Sequence, residues 1–302
     1  MVEILRWDHR PNLRRPVLIA AFEGWNDAGD GASSAASYLV RRWAAQPFAS
    51  IDPEEFYDFT STRPDVRLEG GLTRSIEWPE NVFAAAPLGG TGRDVVILRG
   101  VEPQLRWRTF CGVINEVATA LGVELVITLG ALLAEVPHTR PVRVIGTAAS
   151  EELITKFDLR PSRYEGPTGI LGVLQDSFSR AGLPSASLWA SVPAYVGQTP
   201  SPKAALALVT RLAEVLDVDV PTVDLDVAAA AYERQVDEVV AADEDASAYV
   251  RSLEEVSDTE ERFADDRLAV DDGDEIDPAD LPGGDVLAAE VERFLRDQGS
   301  AG

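Results

Sequence analysis

Four short segments carry most of the side chains in this chain that could bind or transform a ligand. They are Gly24-Trp25-Asn26-Asp27-Ala28-Gly29-Asp30, then Gly130-Ala131-Leu132-Leu133-Ala134-Glu135-Val136-Pro137-His138-Thr139-Arg140-Pro141, then Tyr164-Glu165-Gly166-Pro167-Thr168-Gly169, and finally Trp189-Ala190-Ser191-Val192-Pro193-Ala194-Tyr195-Val196-Gly197. Trp25, Tyr164, Trp189 and Tyr195 offer aromatic walls. Asn26, Asp27, Asp30, Glu135, Thr139, Glu165 and Thr168 offer hydrogen-bonding groups, and Arg140 can pair with an anion. His138 is the candidate general base. Each group also has a structural alternative. Asp27 or Asp30 could cap the helix that follows, with the glycines supplying the turn. His138, pinned between two prolines, could be a satisfied structural imidazole. Glu165 and Thr168 flank a helix start and could cap it, while the backbone N–H groups there could receive an anion.

The elements around these segments must bring them together. Over residues 1–216, short β-rich runs alternate with amphipathic helical patterns. The strand candidates are Val17–Phe22, Glu55–Phe59, Thr73–Trp78, Val95–Leu98, Leu125–Leu129, Val142–Thr147 and Ser187–Val192. The helix candidates are Ala32–Ala44, Gln104–Leu121, Glu151–Phe157, Gly169–Ala181 and Lys203–Leu216. Such alternation predicts an α/β domain with a mostly parallel sheet. The polar segment 63–71 reads as a turn between two strands at a sheet edge. In a parallel sheet the loops that leave the carboxyl ends of the strands share one rim, where ligands of α/β folds usually bind. The four segments are therefore expected to line one rim.

Several chemistries are excluded by what is missing. No Gly-x-Gly-x-x-Gly leads from a strand into a helix, so a dinucleotide fold is unsupported. Gly89-Gly90-Thr91-Gly92-Arg93 precedes a strand and lacks the Lys-Ser/Thr ending of a phosphate loop. His9 and His138 are the two histidines, too few for a His-rich metal site, and no Gly-x-Ser-x-Gly elbow is present. The single Cys111 rules out a disulfide framework and a multi-cysteine metal site, and reads as a buried thiol in a helix. No cofactor and no metal are expected.

The charge is unevenly placed. The chain carries a net −24, of which residues 217–302 hold −21 and residues 1–216 hold −3. Neither part offers the clustered positive charge that nucleic acid or an anionic membrane would need. The first 16 residues are polar and Arg-rich, unlike a signal peptide, and no apolar run approaches the ~18 residues of a membrane span. A cytoplasmic protein is expected. Val227–Val256 has roughly helical apolar spacing among acidic positions, 271–284 reads as a linker, and 286–295 as a last short helix. The expected organisation is a core at 1–216, an acidic helical appendage at 217–257, and an acidic mobile tail at 258–302.

The four segments, taken in order, resemble the motifs of the actinobacterial branch of the PAC2 family, named for proteasome assembly chaperone 2; the resemblance covers roughly residues 10–255. It implies a three-layer α/β/α core similar to purine nucleoside phosphorylases, and homo-oligomers such as trimers. It also implies an assembly or interaction role, with proteasome subunits as partners. Several relatives dock through a C-terminal hydrophobic-Tyr-any tail, whereas this sequence ends Asp297-Gln298-Gly299-Ser300-Ala301-Gly302. Three functional readings follow: an assembly chaperone without catalytic machinery; a binder of, or enzyme for, a nucleoside, amino acid or carboxylate at the rim; and four loops kept as an oligomer interface.

Overall fold

The computed structural model describes residues 4–69, 73–162 and 164–270, with side chains as far as Thr259 other than those of Glu69 and Thr73. The chain divides after Glu254. The larger unit is built on one eight-stranded sheet. Its strands are β1 (Leu5–Trp7), β2 (Val17–Glu23), β3 (Gln46–Ile51), β6 (Asn81–Leu88), β7 (Arg93–Val101), β8 (Leu125–Ala134), β9 (Val144–Ala148) and β10 (Ser185–Pro193). A separate two-stranded ribbon is formed by β4 (Asp65–Glu69) and β5 (Thr73–Glu77).

The sheet order is β1-β3-β6-β7-β2-β8-β10-β9. The four central strands, β7, β2, β8 and β10, are parallel to one another, and the strands on both flanks join antiparallel. Alternation along β2 explains its central place. Val17, Ile19 and Ala21 enter one apolar layer and Leu18, Ala20 and Phe22 the other, all at most 1% exposed. A strand buried on both faces must be apolar throughout.

Helices cover both faces, giving three α/β/α layers. On one side lie α1 (Gly31–Arg42), α3 (Glu151–Phe157) and α5 (Pro202–Leu216), which bury Ala32, Leu39, Leu153, Leu208 and Leu212. On the other lie α2 (Trp107–Leu121) and α4 (Ile170–Arg180), which bury Phe110, Ile114, Leu174 and Phe178. Helix α6 (Val223–Ala241) packs on α5 through an apolar stripe that includes Leu225, Ala229, Tyr232 and Val236. Helix α7 (Glu244–Val270) spans the division at Glu254. The expected linker at 271–284 and helix at 286–295 lie outside the described residues.

Two expectations are corrected. Glu55–Phe59 is not a strand: Pro53 opens a helical turn whose first N–H groups face Asp52, with Asp52 Oδ1 accepting from the Glu54 amide at 3.0 Å. Phe56 and Tyr57 then both plug the core instead of alternating. The segment 63–71 is not simply a turn, because Asp65–Glu69 is itself a strand paired with β5. Its charges had hidden the period-two placement of Val66 and Leu68. Strands β1, β3 and β6 also went unread; β3 carries Pro47 at a register shift and β6 carries Pro87, residues that sequence patterns count against strands.

Candidate functional site

The carboxyl ends of the parallel strands do gather most of the candidate residues, in two polar clusters. The first is organised by Glu102, just past β7. Its Oε1 accepts from Asn26 Nδ2 at 2.8 Å and from the Ile170 backbone N–H at 2.7 Å, and its Oε2 accepts from the Trp25 N–H at 3.2 Å. Ile170 opens α4, so this carboxylate stands at a helix N-terminus, where orphan donors and the helix dipole favour negative charge. The cap of α4 is thus supplied from another strand end, while Glu165 and Thr168 are exposed and Gly169 provides no side chain. Close approach requires that glycine: a Cβ on Gly169 would lie 2.3 Å from Asn26 Nδ2.

The opening loop is held just as closely. Asn26 is 2% exposed, and its carbonyl accepts from the Ala131 N–H at 2.8 Å, which ties the loop to β8. The Asp27 Oδ1 accepts from the Ala32 N–H at 2.6 Å and the Ser33 N–H at 3.3 Å. Asp27 therefore caps α1 from outside it, whereas Asp30, exposed and left-handed at φ +50°, makes no side-chain cap bond. Burial pushes the Asp27 carboxyl up to about 6 against the opposing pull of those N–H groups. Glu23, at the end of β2, is also raised, first by burial and then by the charge of Asp30, with Arg99 opposing.

The second cluster lies beneath α6 and the start of α7. His138 is 2% exposed. Its Nε2 meets Asp237 Oδ1 at 3.0 Å and its Nδ1 meets the Tyr195 hydroxyl at 2.7 Å. A carboxylate only accepts, so Nε2 carries a proton and donates; in the neutral ring Nδ1 then accepts from the Tyr195 O–H. The same hydroxyl oxygen accepts from the His138 backbone N–H at 2.8 Å. Burial raises the Tyr195 phenol to about 12. Lys203 Nζ donates to the His138 carbonyl at 2.5 Å and pairs with Glu233 of α6. From α7, Glu254 accepts from Thr139 and pairs with Arg140 at 3.3 Å, while the Tyr249 hydroxyl donates to Glu135. Each polar member of Glu135–Arg140 thereby meets α6 or α7 through its side chain or backbone.

One placement differs from the loop reading. Strand β8 continues to Ala134, so Gly130–Ala134 belongs to the sheet. Trp189 lies within β10, and its ring covers Gly130, where a Cβ would sit 2.5 Å from a ring carbon; it packs into the α2/α4 layer. Trp25 and Tyr164 are 65% and 66% exposed, and the Tyr164 hydroxyl donates to its own loop at the Pro167 carbonyl, 2.7 Å away. The two cavities described, of about 260 and 410 Å³, are lined by none of the candidates. Glu102, Lys203, Asp237 and Glu254 were missed by sequence reasoning. For Glu102 a signal existed, since it is a carboxylate directly after a parallel strand and before Pro103.

Among the described residues no group of three or more His, Cys, Asp or Glu side chains is placed to hold a metal ion, and no helix is long and apolar enough to cross a membrane. The PAC2 family model matches residues 21–240, which spans both clusters as far as α6. The chain belongs to the PAC2 family. A PAC2 family protein from Streptomyces avermitilis is 49% identical, with a TM-score of 0.73 over 78% of this chain and 99% of that one. A proteasome-assembly chaperone homologue from Mycobacterium tuberculosis is 48% identical, with a TM-score of 0.71 over 78% and 99%. An archaeal proteasome activator from Pyrococcus furiosus, 19% identical, shares the fold at a TM-score of 0.66 over 78% and 97%. A search of curated proteins found no match. In this PAC2 member the motif segments join strand ends, helix starts and the C-terminal helices to one another.

Proposed function

We propose that this PAC2 protein is an assembly factor that acts on proteasome subunits by surface contact, without catalytic machinery of its own. One observation carries the reading: Asn26, Asp27 and His138, the buried polar side chains of the first two motif segments, are bonded to other segments of the same chain. The carboxylate position at the start of α4 is filled by Glu102, and the imidazole that could have served as a base is enclosed between Tyr195 and Asp237. That closure speaks against the rival reading of a nucleoside, amino-acid or carboxylate pocket. The rim presents Trp25 and Tyr164 outward, beside the polar Asp30, Glu165 and Thr168. The printed description of the Mycobacterium tuberculosis relative, a proteasome-assembly chaperone homologue, supplies the partner class. The protein works in the cytoplasm and as a homo-oligomer such as a trimer.

The test is capture from the native host with the tagged full chain. Proteasome α subunits or their precursors are expected with the wild type, and reduced recovery is expected with the W25A/Y164A double variant at unchanged thermal stability. Absence of proteasome components from the wild-type capture, with normal proteasome assembly after deletion, overturns the proposal.

A further inference from the structure

The larger of the two cavities, about 410 Å³, opens at the amino ends of the parallel strands, away from the rim that gathers the motif segments. It lies where β7, β8 and β10 begin at Arg93, Leu125 and Ser185, beside α3 and the end of α4. Its volume falls within the ~300–1,000 Å³ of ligand sites. Leu125 and Leu153, 5% and 7% exposed, give it an apolar lining, to which Phe157 and Leu183 add. Several polar groups around it are uncommitted. Lys203, the other lysine of the chain, is paired with Glu233, whereas Lys156 meets no carboxylate among the described residues. Its Nζ stands 5.1 Å from the centre of the Phe157 ring, an ammonium held against the apolar lining. Arg93 reaches Glu124 through one long contact of 3.5 Å, and Glu124 is already met on both oxygens by Arg15 Nε at 3.3 Å. Ser150 does not cap α3, and neither its hydroxyl nor that of Ser179 is bonded among the described residues.

We infer that this cavity is a binding site for a small monocarboxylate with an apolar body. Charge selects the ligand. Counting Arg15 with the Glu124 that it covers, Arg93 and Lys156 stand against Glu152 alone, which leaves one positive charge in excess. That local sign is opposite to the net −24 of the chain. At physiological ionic strength fields are screened beyond ~8 Å, so the groups around the cavity decide. A monoanion is matched by the excess, whereas a phosphate monoester of charge about −1.5 to −2 would meet Glu152 without compensation. The planar guanidinium fork fits a carboxylate, and the ammonium supplies a further charged donor. The apolar lining takes the body of the ligand out of water. This site lies at the opposite strand ends from the surface contact proposed above and goes beyond that reading.

Amide-resonance titration of the isotope-labelled full chain with 3-phenylpropanoate tests the site. A dissociation constant on the order of 1 mM is expected for a ligand of this size. The amides of Leu125, Lys156 and Leu183 should shift, and those of Trp25 and Tyr164 should stay in place. The neutral amide of the same skeleton and dianionic phenyl phosphate should each bind about tenfold more weakly or less. Lys156 is exposed, so Lys156→Gln should weaken the carboxylate about tenfold at an unchanged thermal midpoint. Ser179→Trp, which fills the cavity and leaves its charges in place, should abolish binding. No saturable shift up to about 10 mM, tenfold above the expected constant, overturns the proposal. So do shifts centred on the rim, equal binding of the amide, or binding that Lys156→Gln leaves intact. Tighter binding of phenyl phosphate overturns the assignment to a monocarboxylate. None of these results bears on capture of proteasome subunits.

Discussion

Asp27 holds a carboxylate where charge is costly, and it does so to satisfy two helix N–H groups that would otherwise be orphaned. The competition has a measurable sign. Its folded carboxyl titrates at about 6 against an ordinary 3.8, so the folded state binds the proton more tightly than the unfolded chain. The contribution to stability is then fully present below about pH 4 and is lost as pH rises through about 6, by roughly 3 kcal/mol for a two-unit shift. Asp27→Asn keeps an acceptor and removes the charge. In urea titrations it should be more stable than the wild type at pH 7.5, and the advantage should vanish as pH falls toward 4. Asp27→Ala removes the cap and should cost about 1–2 kcal/mol near pH 4, a cost that shrinks as pH rises through about 6 because the substitution also removes the titrating group. Glu102 makes a second residue-scale prediction. Glu102→Ala leaves the Ile170 N–H, the Trp25 N–H and Asn26 Nδ2 without their acceptor and should cost about 2–4 kcal/mol. Glu102→Gln, which can still present one oxygen to the first and third, should cost less. Circular-dichroism melts of both variants decide the order.

At the scale of elements, the C-terminal helices are held over the Glu135–Arg140 segment by polar contacts as well as by the apolar stripe of α6. Removing the contacts on α7 should loosen that helix alone. In Glu254→Ala, amide exchange should speed up across 244–254 and stay unchanged in α1, α2 and β8, as hydrogen–deuterium exchange can resolve. Uniform acceleration in all elements would mean that Glu254 supports the whole fold instead. This relation also explains what the sequence could convey. The alternating α/β body was legible because its central strands are continuous apolar runs and its helices have a clear apolar stripe: α3 was read at its observed bounds, and α2, α4 and α5 to within a few residues. The rim was legible as a place, since Gly-rich and Pro-rich segments after strands mark it. The partners within the rim were not. Glu102 lies 68, 76 and 77 positions from the groups it bonds, Asp237 lies 99 and Glu254 114 or 115, and local patterns carry no information about such pairs. Trp189 was read within its strand, Ser187–Val192, but not in its role: a large aromatic beside small residues reads as a rim wall, yet its ring lies over the bare Gly130 of the neighbouring strand.

For the whole molecule, charge is the dominant asymmetry. The −21 of residues 217–302 far outweighs the few ion pairs that α6 and α7 make with the body, so screening should relieve more repulsion than it removes attraction. Raising salt from about 0.01 to about 0.15 M, which shortens the Debye length from ~30 to ~8 Å, should therefore raise the melting midpoint by about 2–4 °C. A fall in the midpoint would mean that the ion pairs dominate. The strand order has a consequence for synthesis. Strand β2 ends at Glu23, but its neighbours in the sheet, β7 and β8, reach only to Val101 and Ala134. At ~5–20 residues per second the ribosome needs on the order of 5–20 s to complete them. Through that interval Val17–Phe22, an apolar run buried on both faces in the folded sheet, leaves the exit tunnel with no strand to join. A nascent PAC2 chain is thus itself a client for holding factors before it can assist anything else.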